Sequence, residues 1–188
     1  LTILEIGGAF AHRFNELISF LHIPCLVITD LDSVSPEGRH PTVRADTPNA
    51  LTSNASLKTL LDVSTVEELI GRPFANKCRS APNRAIVYQL DVFVFENANV
   101  HKMRPRTLEE CLAYENFSKA RSGDLSFGIE ISDDLGVAYD EIYKRVKSSS
   151  FKKTDFAMSL LAGKNDWIVP CYISEGLTWL ETTLSTHQ

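Results

Sequence analysis

The apolar run Cys25-Leu26-Val27-Ile28-Thr29 ends on two aspartates, Asp30 and Asp32, separated by one residue. A strand that is covered on both faces need not alternate apolar and polar residues, so this run predicts a buried parallel strand. The carboxylates then lie at its carboxyl end, the edge at which open α/β sheets bind ligands. Two clustered carboxylates suit a hard cation such as Mg²⁺ or Mn²⁺, so this strand end is a candidate metal site.

A strand and a helix are predicted before this run. Residues 1–6 have the composition of a strand, and Gly7-Gly8 predicts a tight turn, since glycine permits a positive φ or a close backbone approach. Apolar residues then recur at helical spacing, at Phe10, Phe14, Leu17, Ile18 and Leu21. Strand, helix and strand with short connections predict a right-handed βαβ unit. The fold class predicted is therefore α/β, with a parallel sheet flanked by helices.

The segment 35–84 is predicted to be a loop or a helical insertion beside the aspartates. Proline and glycine pairs punctuate its first part. Thr52-Ser53-Asn54 supplies helix-capping side chains, and Ser64 and Glu67 have the spacing of a capping box. Residues 71–83 are polar and predict either a solvated loop or a contact with a polyanion, through Arg72, Lys77, Arg79 and Arg84.

The remaining pattern predicts two strands followed mainly by helices. The strands lie at 85–88 and 92–95, and the part from 107 to 188 is mainly helical. Its helices are predicted at 133–146, after residues 152–155 with Lys153 just before the first turn, and at 170–184, where the last helix packs on the sheet.

A second capping box separates two neighbouring glutamates. A basic loop at 102–106 leads into Thr107-Leu108-Glu109-Glu110, in which Glu110 is placed to reach back to the cap. Glu109 has no such structural task. Glu109 is therefore the better candidate for chemistry.

Composition predicts one domain with room for an insertion. The 188 residues are 44% hydrophobic, which is enough to bury a sizeable core. With 19 Lys and Arg against 24 Asp and Glu, the net charge is -5, and this gives no electrostatic footprint of a nucleic-acid binder. Bound cations can restore local positive charge, so the net charge does not exclude a metal-dependent nuclease.

Cysteine usage and hydropathy indicate the cellular compartment in which the protein is expected. The four cysteines are scattered and lack zinc-ligand spacing, which favours a reduced, cytoplasmic environment. The longest apolar runs are far shorter than a membrane span. The chain begins abruptly with a strand-like segment and without Met, so a fragment of a longer protein is expected.

Three hypotheses account for Asp30-Leu31-Asp32. The aspartates hold a metal for phosphoryl transfer to water, or Asp30 is the nucleophile of a haloacid-dehalogenase-like phosphatase, with Asp133-Asp134 as its distal acidic pair. In the third hypothesis both side chains cap the following loop as turn formers.

Several motifs in order resemble one family. They are Gly7-Gly8-Ala9-Phe10, Ile23-Pro24-Cys25 through Asp32, Thr52-Ser53-Asn54, Arg106 through Glu110, Lys153-Thr154-Asp155-Phe156-Ala157, and Pro170 through Leu180. Together they resemble the C-terminal TOPRIM nuclease region of the OLD family (overcoming lysogenization defect) of ATP-dependent endonucleases. The resemblance spans nearly all of residues 1–188.

This resemblance implies a TOPRIM fold with a two-metal site, using Mg²⁺ or Mn²⁺, that nicks or cuts DNA. Asp30 and Asp32 would be metal ligands, and Glu109 an additional acidic ligand or a catalytic group. Lys153 would stabilise charge on the scissile phosphate. Ser53 would be a further metal ligand, and Asn54, Arg106 and Lys152 would support the site or contact DNA. ATP would bind to a separate ATPase domain, through which the full-length protein forms homodimers.

The sequence departs from the family pattern at its start. TOPRIM domains begin with a strand ending in Glu-Gly whose glutamate is a metal ligand, and Glu5-Ile6-Gly7 only weakly matches it. That motif is expected upstream of Leu1, which would leave an incomplete metal site here. A catalytically inactive interaction module is therefore a further hypothesis. Ser53 or Asn54 as an ordinary N-cap, and Lys153 as a solvated residue before a helix, are the structural alternatives.

Overall fold

The computed structural model describes residues 2–6, 9–80, 83–96, 99–163 and 166–186. The chain divides into two compact units. Unit 1 comprises Leu1–Gln89 and Cys171–Gln188, and unit 2 comprises Leu90–Pro170.

Regular elements cover most of both units. The α-helices are α1 Asn15–Leu21, α2 Ala55–Leu61, α3 Val66–Ile70, α4 Leu108–Glu115, α5 Phe117–Ser122, α6 Leu135–Lys147, α7 Lys153–Ala162 and α8 Cys171–Thr186. The strands are β1 Cys25–Ile28, β2 Ser33–Val34, β3 Leu51–Thr52, β4 Cys78–Ser80, β5 Asn83–Val87, β6 Val92–Glu96 and β7 Asn99–Met103. Short 3-10 helices lie at Ala11–Phe14 and Phe74–Lys77.

The sheet of unit 1 has the order β1-β5-β4. β1 runs parallel to β5, with Cys25 opposite Arg84 and Ile28 opposite Val87, and β4 pairs antiparallel on the other side of β5. The α/β class is therefore confirmed. Within the described residues the parallel pairing is this one pair, which is a smaller parallel sheet than the one predicted.

The helix α8 packs on β1 and β5 through a glycine. A Cβ atom at Gly176 would lie 2.9 Å from Leu26 Cδ1 and 3.1 Å from Val87 Cγ1. Only a residue without a side chain permits this approach of helix to sheet. The prediction of a C-terminal helix packed on the sheet is confirmed.

The strand predicted at 1–6 is wrong for the part that the structure describes. Residues 2–6 are irregular, with Ile3 86% and Leu4 65% exposed, because they join no ladder that could pair their backbone groups. The βαβ unit is therefore not formed as predicted, and Gly7-Gly8 lies outside the described residues. The helical prediction for 10–21 is confirmed by the first 3-10 helix and α1.

β1 is less buried than predicted. Val27 is buried, but Ile28 is 46% exposed. In the described sheet β1 is an edge strand, so one of its sides lacks a neighbouring strand. Its apolar composition therefore indicated the strand correctly but overstated its burial.

Two of the four cations predicted for a solvated loop or a basic surface, Lys77 and Arg84, are buried instead. Lys77 is buried, with Nζ 4.6 Å from the ring centroid of Tyr88, and burial lowers the pKa of its ammonium. Arg84 is also buried, and its Nη1 donates to Asn15 Oδ1. Both side chains have apolar stems that can pack in a core, a feature that charge counting misses.

The predicted capping boxes are replaced by caps that are shifted by one residue and are not reciprocal. Thr65, not Ser64, caps α3: its Oγ1 accepts from Glu68 N at 3.3 Å and donates to Glu68 Oε2 at 2.5 Å. Either hydroxyl could serve as a cap, so the spacing alone did not choose between them.

Unit 2 is built on a hairpin and four helices. β6 and β7 pair antiparallel, with Val92 opposite Met103, so the predicted basic loop at 102–106 begins inside a strand. The core contains Met103 and residues of α4 to α7, and three phenylalanine rings pack together, Phe127, Phe151 and Phe156, with centroids 4.7 to 6.0 Å apart. The helix predicted at 133–146 is confirmed as α6, and the helix predicted after residues 152–155 as α7, which begins earlier than predicted, at Lys153.

In the part of the chain that the structure describes, no helix combines the length and the apolar character that crossing a membrane requires.

The close approach at Gly176 predicts a stability effect. We expect Gly176→Val to lower the free energy of unfolding by about 1–3 kcal/mol, because the added methyl groups overpack the contact with Leu26 and Val87. Urea denaturation monitored by circular dichroism measures this. Ser174→Val is the control, an exposed position on the same helix, expected within about 0.5 kcal/mol of the unsubstituted protein. Equal stability of the two variants would contradict the proposed packing.

Candidate metal centre

Asp30 and Asp32 follow the last ladder bond of β1, in which Thr29 N donates to Val87 O at 3.0 Å. The Leu31 side chain between them is fully buried, whereas both aspartates are half-buried. The predicted position at the carboxyl end of the strand is confirmed.

The residues Thr52-Ser53-Asn54 reach this strand end through the β2–β3 pairing. Ser33 directly follows Asp32 and lies opposite Thr52 in that antiparallel pair. Residues 35–50 form the connection between the two short strands. The pairing therefore lays residues 52–54 alongside residues 30–32.

Residues 52–54 donate hydrogen bonds to three successive carbonyl groups, those of residues 30–32. Asn54 Nδ2 donates to Asp30 O at 2.7 Å, and Thr52 Oγ1 donates to Leu31 O at 2.5 Å. Ser53 donates to Asp32 O twice, from N at 2.9 Å and from Oγ at 3.0 Å. The backbone that carries the two carboxylates is thus fixed at every residue.

The fixed backbone includes a conformation that few residues adopt. Asp32 has φ of 51°, in the left-handed region. Aspartate visits this region more readily than most residues, but the conformation still requires support from its surroundings. The two hydrogen bonds from Ser53 to its carbonyl supply that support.

Asn54 has a full set of structural bonds. Its Oδ1 caps α2 by accepting from Ser56 N at 2.9 Å and Leu57 N at 3.2 Å, and its Nδ2 also donates to Thr29 Oγ1 at 2.7 Å. It therefore supports the site through the backbone of Asp30. The Ser53 hydroxyl is exposed, and its oxygen keeps lone pairs after the hydrogen is donated, so a metal-binding role for Ser53 stays a prediction.

One residue at this site was not among the predicted ones. Gln89 is fully buried, accepts from Leu31 N at 2.8 Å, and donates to Asp30 Oδ1 at 2.6 Å. It follows β5 by two residues, so it lies at the carboxyl end of the strand parallel to β1. The rule that identified Asp30, a polar residue directly after a buried strand, would also have found Gln89.

The donor set fits a hard divalent cation. Its atoms are the carboxylate oxygens of Asp30 and Asp32 and the hydroxyl of Ser53, the ligand type that Mg²⁺ and Mn²⁺ prefer. Among the described residues, no group of three His, Cys, Asp or Glu side chains could hold a metal ion. Mg²⁺ is often bound by one or two carboxylates, with water and substrate phosphate as further ligands, and two aspartates suffice for that arrangement.

Two other predicted site residues, Glu109 and Lys153, form an ion pair in unit 2. Lys153 is the first residue of α7, and its Nζ lies 2.9 Å from Oε2 of Glu109 on α4. Glu109 is only 8% exposed, so its carboxylate is largely removed from water and balanced by the ammonium. The neighbouring Lys152 instead donates to Ser149 O at 3.2 Å, which distinguishes the two lysines.

The two neighbouring glutamates differ as predicted. Glu110 Oε2 accepts from Arg106 N at 2.9 Å, one residue before the expected capping residue, and Thr107 makes no side-chain capping bond. The structural role of Glu110 is confirmed with this shift. Arg106 contributes its backbone N–H to that cap, and its contact with DNA stays a prediction.

The distal acidic pair has structural contacts. Asp134 Oδ1 caps α6 by accepting from Val137 N at 2.9 Å, and Asp133 Oδ1 lies 3.3 Å from Nη1 of Arg121. An N-cap of this kind explains Asp134 without a catalytic role.

Known proteins resemble the chain in the segment that contains this site. Residues 1–32 match the family described as overcoming lysogenization defect protein-like, TOPRIM domain. The matched segment ends on Asp32. A curated relative, "Endonuclease GajA" of Bacillus cereus (strain HuB5-5), is 25% identical over 205 residues. The resemblance to the TOPRIM region of the OLD family is confirmed by the family match.

The alignment with the relative covers different fractions of the two proteins. The alignment with the Bacillus protein covers 100% of this chain but 28% of the relative, so the chain spans just over a quarter of that protein's length. No solved structure matches the chain.

The double role of Asn54 predicts a larger effect than loss of a cap alone. We expect Asn54→Ala to lower the free energy of unfolding by about 2–4 kcal/mol, since about 1 kcal/mol comes from the cap and the rest from the buried groups that lose their partners. Thr65→Ala, at the more exposed N-cap of α3, is the control, with an expected loss of about 1 kcal/mol. Chemical denaturation of both variants tests this, and similar losses would contradict a role of Asn54 beyond capping.

Proposed function

We propose that this chain is the nuclease region of a larger enzyme and that it hydrolyses DNA phosphodiesters with divalent cations, Mg²⁺ or Mn²⁺, held at Asp30 and Asp32. The observation that carries the proposal is the fixed Asp30-Leu31-Asp32 backbone at the carboxyl end of β1, inside the segment that matches the TOPRIM family. The name of the curated relative, an endonuclease, supports a nuclease-type function. Dependence on ATP and homodimer formation, through a domain of the full-length protein, belong to the same proposal.

The residues of this chain have distinct tasks in the proposed reaction. Asp30 and Asp32 bind the cations, with Ser53 as a further oxygen ligand. When bound, such cations polarise the phosphodiester and lower the pKa of the attacking water. The hydrogen bonds from residues 52–54 keep the two carboxylates in place, so little reorganisation is needed when a cation and DNA bind.

Glu109 and Lys153 have a second task in the proposal. The positive charge of Lys153 stabilises the phosphate, on which negative charge increases in the transition state. Its ammonium is held by Glu109, whose burial makes that interaction stronger than one in water. Glu109 is proposed either as an additional acidic ligand or as the residue that holds Lys153, and Lys152 as a DNA contact.

Substitution of either aspartate is expected to reduce cleavage strongly. We expect Asp30→Asn and Asp32→Asn in the full-length protein to reduce Mn²⁺-dependent plasmid nicking by about 100-fold or more, because each removes an anionic ligand at nearly constant size. Asp62→Asn is the matched control, since Asp62 is exposed at the end of α2 and asparagine tolerates its left-handed backbone.

The same assay separates the alternative hypotheses. Undiminished nicking by both aspartate variants would contradict the metal-site proposal. A specific adduct of beryllium fluoride on Asp30, together with turnover of small phosphate esters, would support the haloacid-dehalogenase-like phosphatase instead. DNA binding without cleavage under any divalent cation would support the inactive interaction module.

The two adjacent lysines are expected to differ. Lys153→Met should reduce nicking by about 100-fold at saturating DNA, because it removes charge stabilisation of the transition state. Lys152→Met should mainly weaken DNA binding and reduce its salt dependence by about one ion, as expected for loss of a phosphate contact.

A second variant separates lost chemistry from an unbalanced buried charge. Lys153→Met alone leaves Glu109 buried without its ammonium partner, whereas the double variant Glu109→Gln and Lys153→Met removes both charges. We expect the double variant to recover thermal stability but not nicking. Recovery of nicking would show that Lys153 serves only to neutralise Glu109.

A further inference from the structure

Both the oxygen and the nitrogen of the Gln89 amide make hydrogen bonds at the candidate metal centre. Its Oε1 accepts from the backbone N–H of Leu31 at 2.8 Å, and its Nε2 donates to Asp30 Oδ1 at 2.6 Å and to the Tyr172 hydroxyl at 3.2 Å. An amide nitrogen has two hydrogens, and both are directed to acceptors. The Gln89 side chain is fully buried, so no water competes for these bonds.

The partners fix the direction of the Gln89 amide. A backbone N–H can only donate, so the amide atom facing Leu31 is the oxygen, and the nitrogen must face Asp30. The opposite orientation would place the amide nitrogen against the Leu31 N–H and the amide oxygen against a carboxylate oxygen. The side chain therefore presents an N–H donor to Asp30 in a single direction.

We propose that Gln89 is a positioning residue for Asp30: it holds one carboxylate oxygen and the following peptide in place, so that the carboxylate is oriented for a divalent cation. This inference rests on the proposed function. The donor is a neutral amide, so it orients the carboxylate without cancelling its charge, as a lysine or arginine in the same place would. Partners that orient metal ligands in this way typically change metal affinity by about 10- to 100-fold when they are substituted.

Tyr172 extends this arrangement to the C-terminal helix. Tyr172 lies in the first turn of α8, is 2% exposed, and accepts from Gln89 Nε2. Gly176, one turn later on the same helix, allows α8 to lie against Leu26 of β1 and Val87 of β5. The packing of α8 thus sets the position of the hydroxyl that anchors the Gln89 amide.

Two substitutions of Gln89 separate the contact with Asp30 from the contact with the backbone. Gln89→Met loses both contacts, whereas Gln89→Glu keeps an oxygen for the Leu31 N–H and replaces the neutral amide by an acid that shares a proton with Asp30 or repels it. Mn²⁺ affinity of the full-length protein without nucleotide, measured by electron paramagnetic resonance of the free ion, is the readout. We expect both variants to bind Mn²⁺ about 10- to 100-fold more weakly. Tyr172→Phe should shift affinity in the same direction by less.

Control variants exclude a general loss of stability. Tyr88→Phe removes a neighbouring buried hydrogen bond, from Tyr88 Oη to Leu69 O at 2.9 Å, and should leave Mn²⁺ affinity unchanged. Thermal unfolding of every variant shows that it is folded at the temperature of the binding measurement. Should Gln89→Met fail to fold, Tyr172→Phe still decides the question, because it removes the contact that anchors the amide and leaves Gln89 in place.

Each outcome has one meaning. Mn²⁺ binding by Gln89→Met at the level of the unsubstituted protein overturns the positioning role. Asp30→Ala serves as the reference for the proposed function. If Asp30→Ala does not weaken Mn²⁺ binding, the metal centre itself is refuted, whereas weak binding by Asp30→Ala with normal binding by Gln89→Met refutes only the role of Gln89.

Discussion

The structure of unit 1 depends on how the chain holds Asp30, Leu31 and Asp32 after they leave the sheet. Peptide groups beyond the end of a strand lose their ladder partners, and buried backbone groups need others. Residues 52–54 and Gln89 supply them, one carbonyl or N–H group at a time. The backbone that carries the two carboxylates is thereby held by side-chain hydrogen bonds where the ladder ends.

This arrangement also links the candidate site to the surrounding helices. The same asparagine caps α2 and holds the carbonyl of Asp30, so the start of that helix and the strand end cannot move independently. One residue into α2, Ser56 Oγ donates to Ala9 O at 2.7 Å and accepts from His12 N at 3.2 Å. The segment before β1 is thus tied to α2 as well. A substitution in α2 can therefore affect the carboxylates without touching them.

Local patterns in the sequence predicted the elements better than their partners. The apolar run before Asp30, the helical spacing of residues 10–21 and the cap at Asn54 are short-range features, and the structure confirms them. The strand predicted at 1–6 depended on a neighbouring strand, and composition cannot supply one. The burial of Lys77 was missed for a related reason, because it comes from packing inside unit 1. The position of Gln89 at a strand end could have been predicted, but its bonds to Asp30 and Tyr172 join residues far apart in sequence.

The contacts of two acidic side chains differ in a way that bears on their proposed roles. Asp30 accepts from a neutral amide, which fixes the direction of the carboxylate without adding a positive charge to it. Glu109 is largely buried and paired with Lys153, whose ammonium both orients and balances its carboxylate. A cation that bound Glu109 would have to displace this ammonium or share the carboxylate with it. The two contacts therefore differ in kind, because an amide only orients a carboxylate, whereas an ammonium also neutralises it.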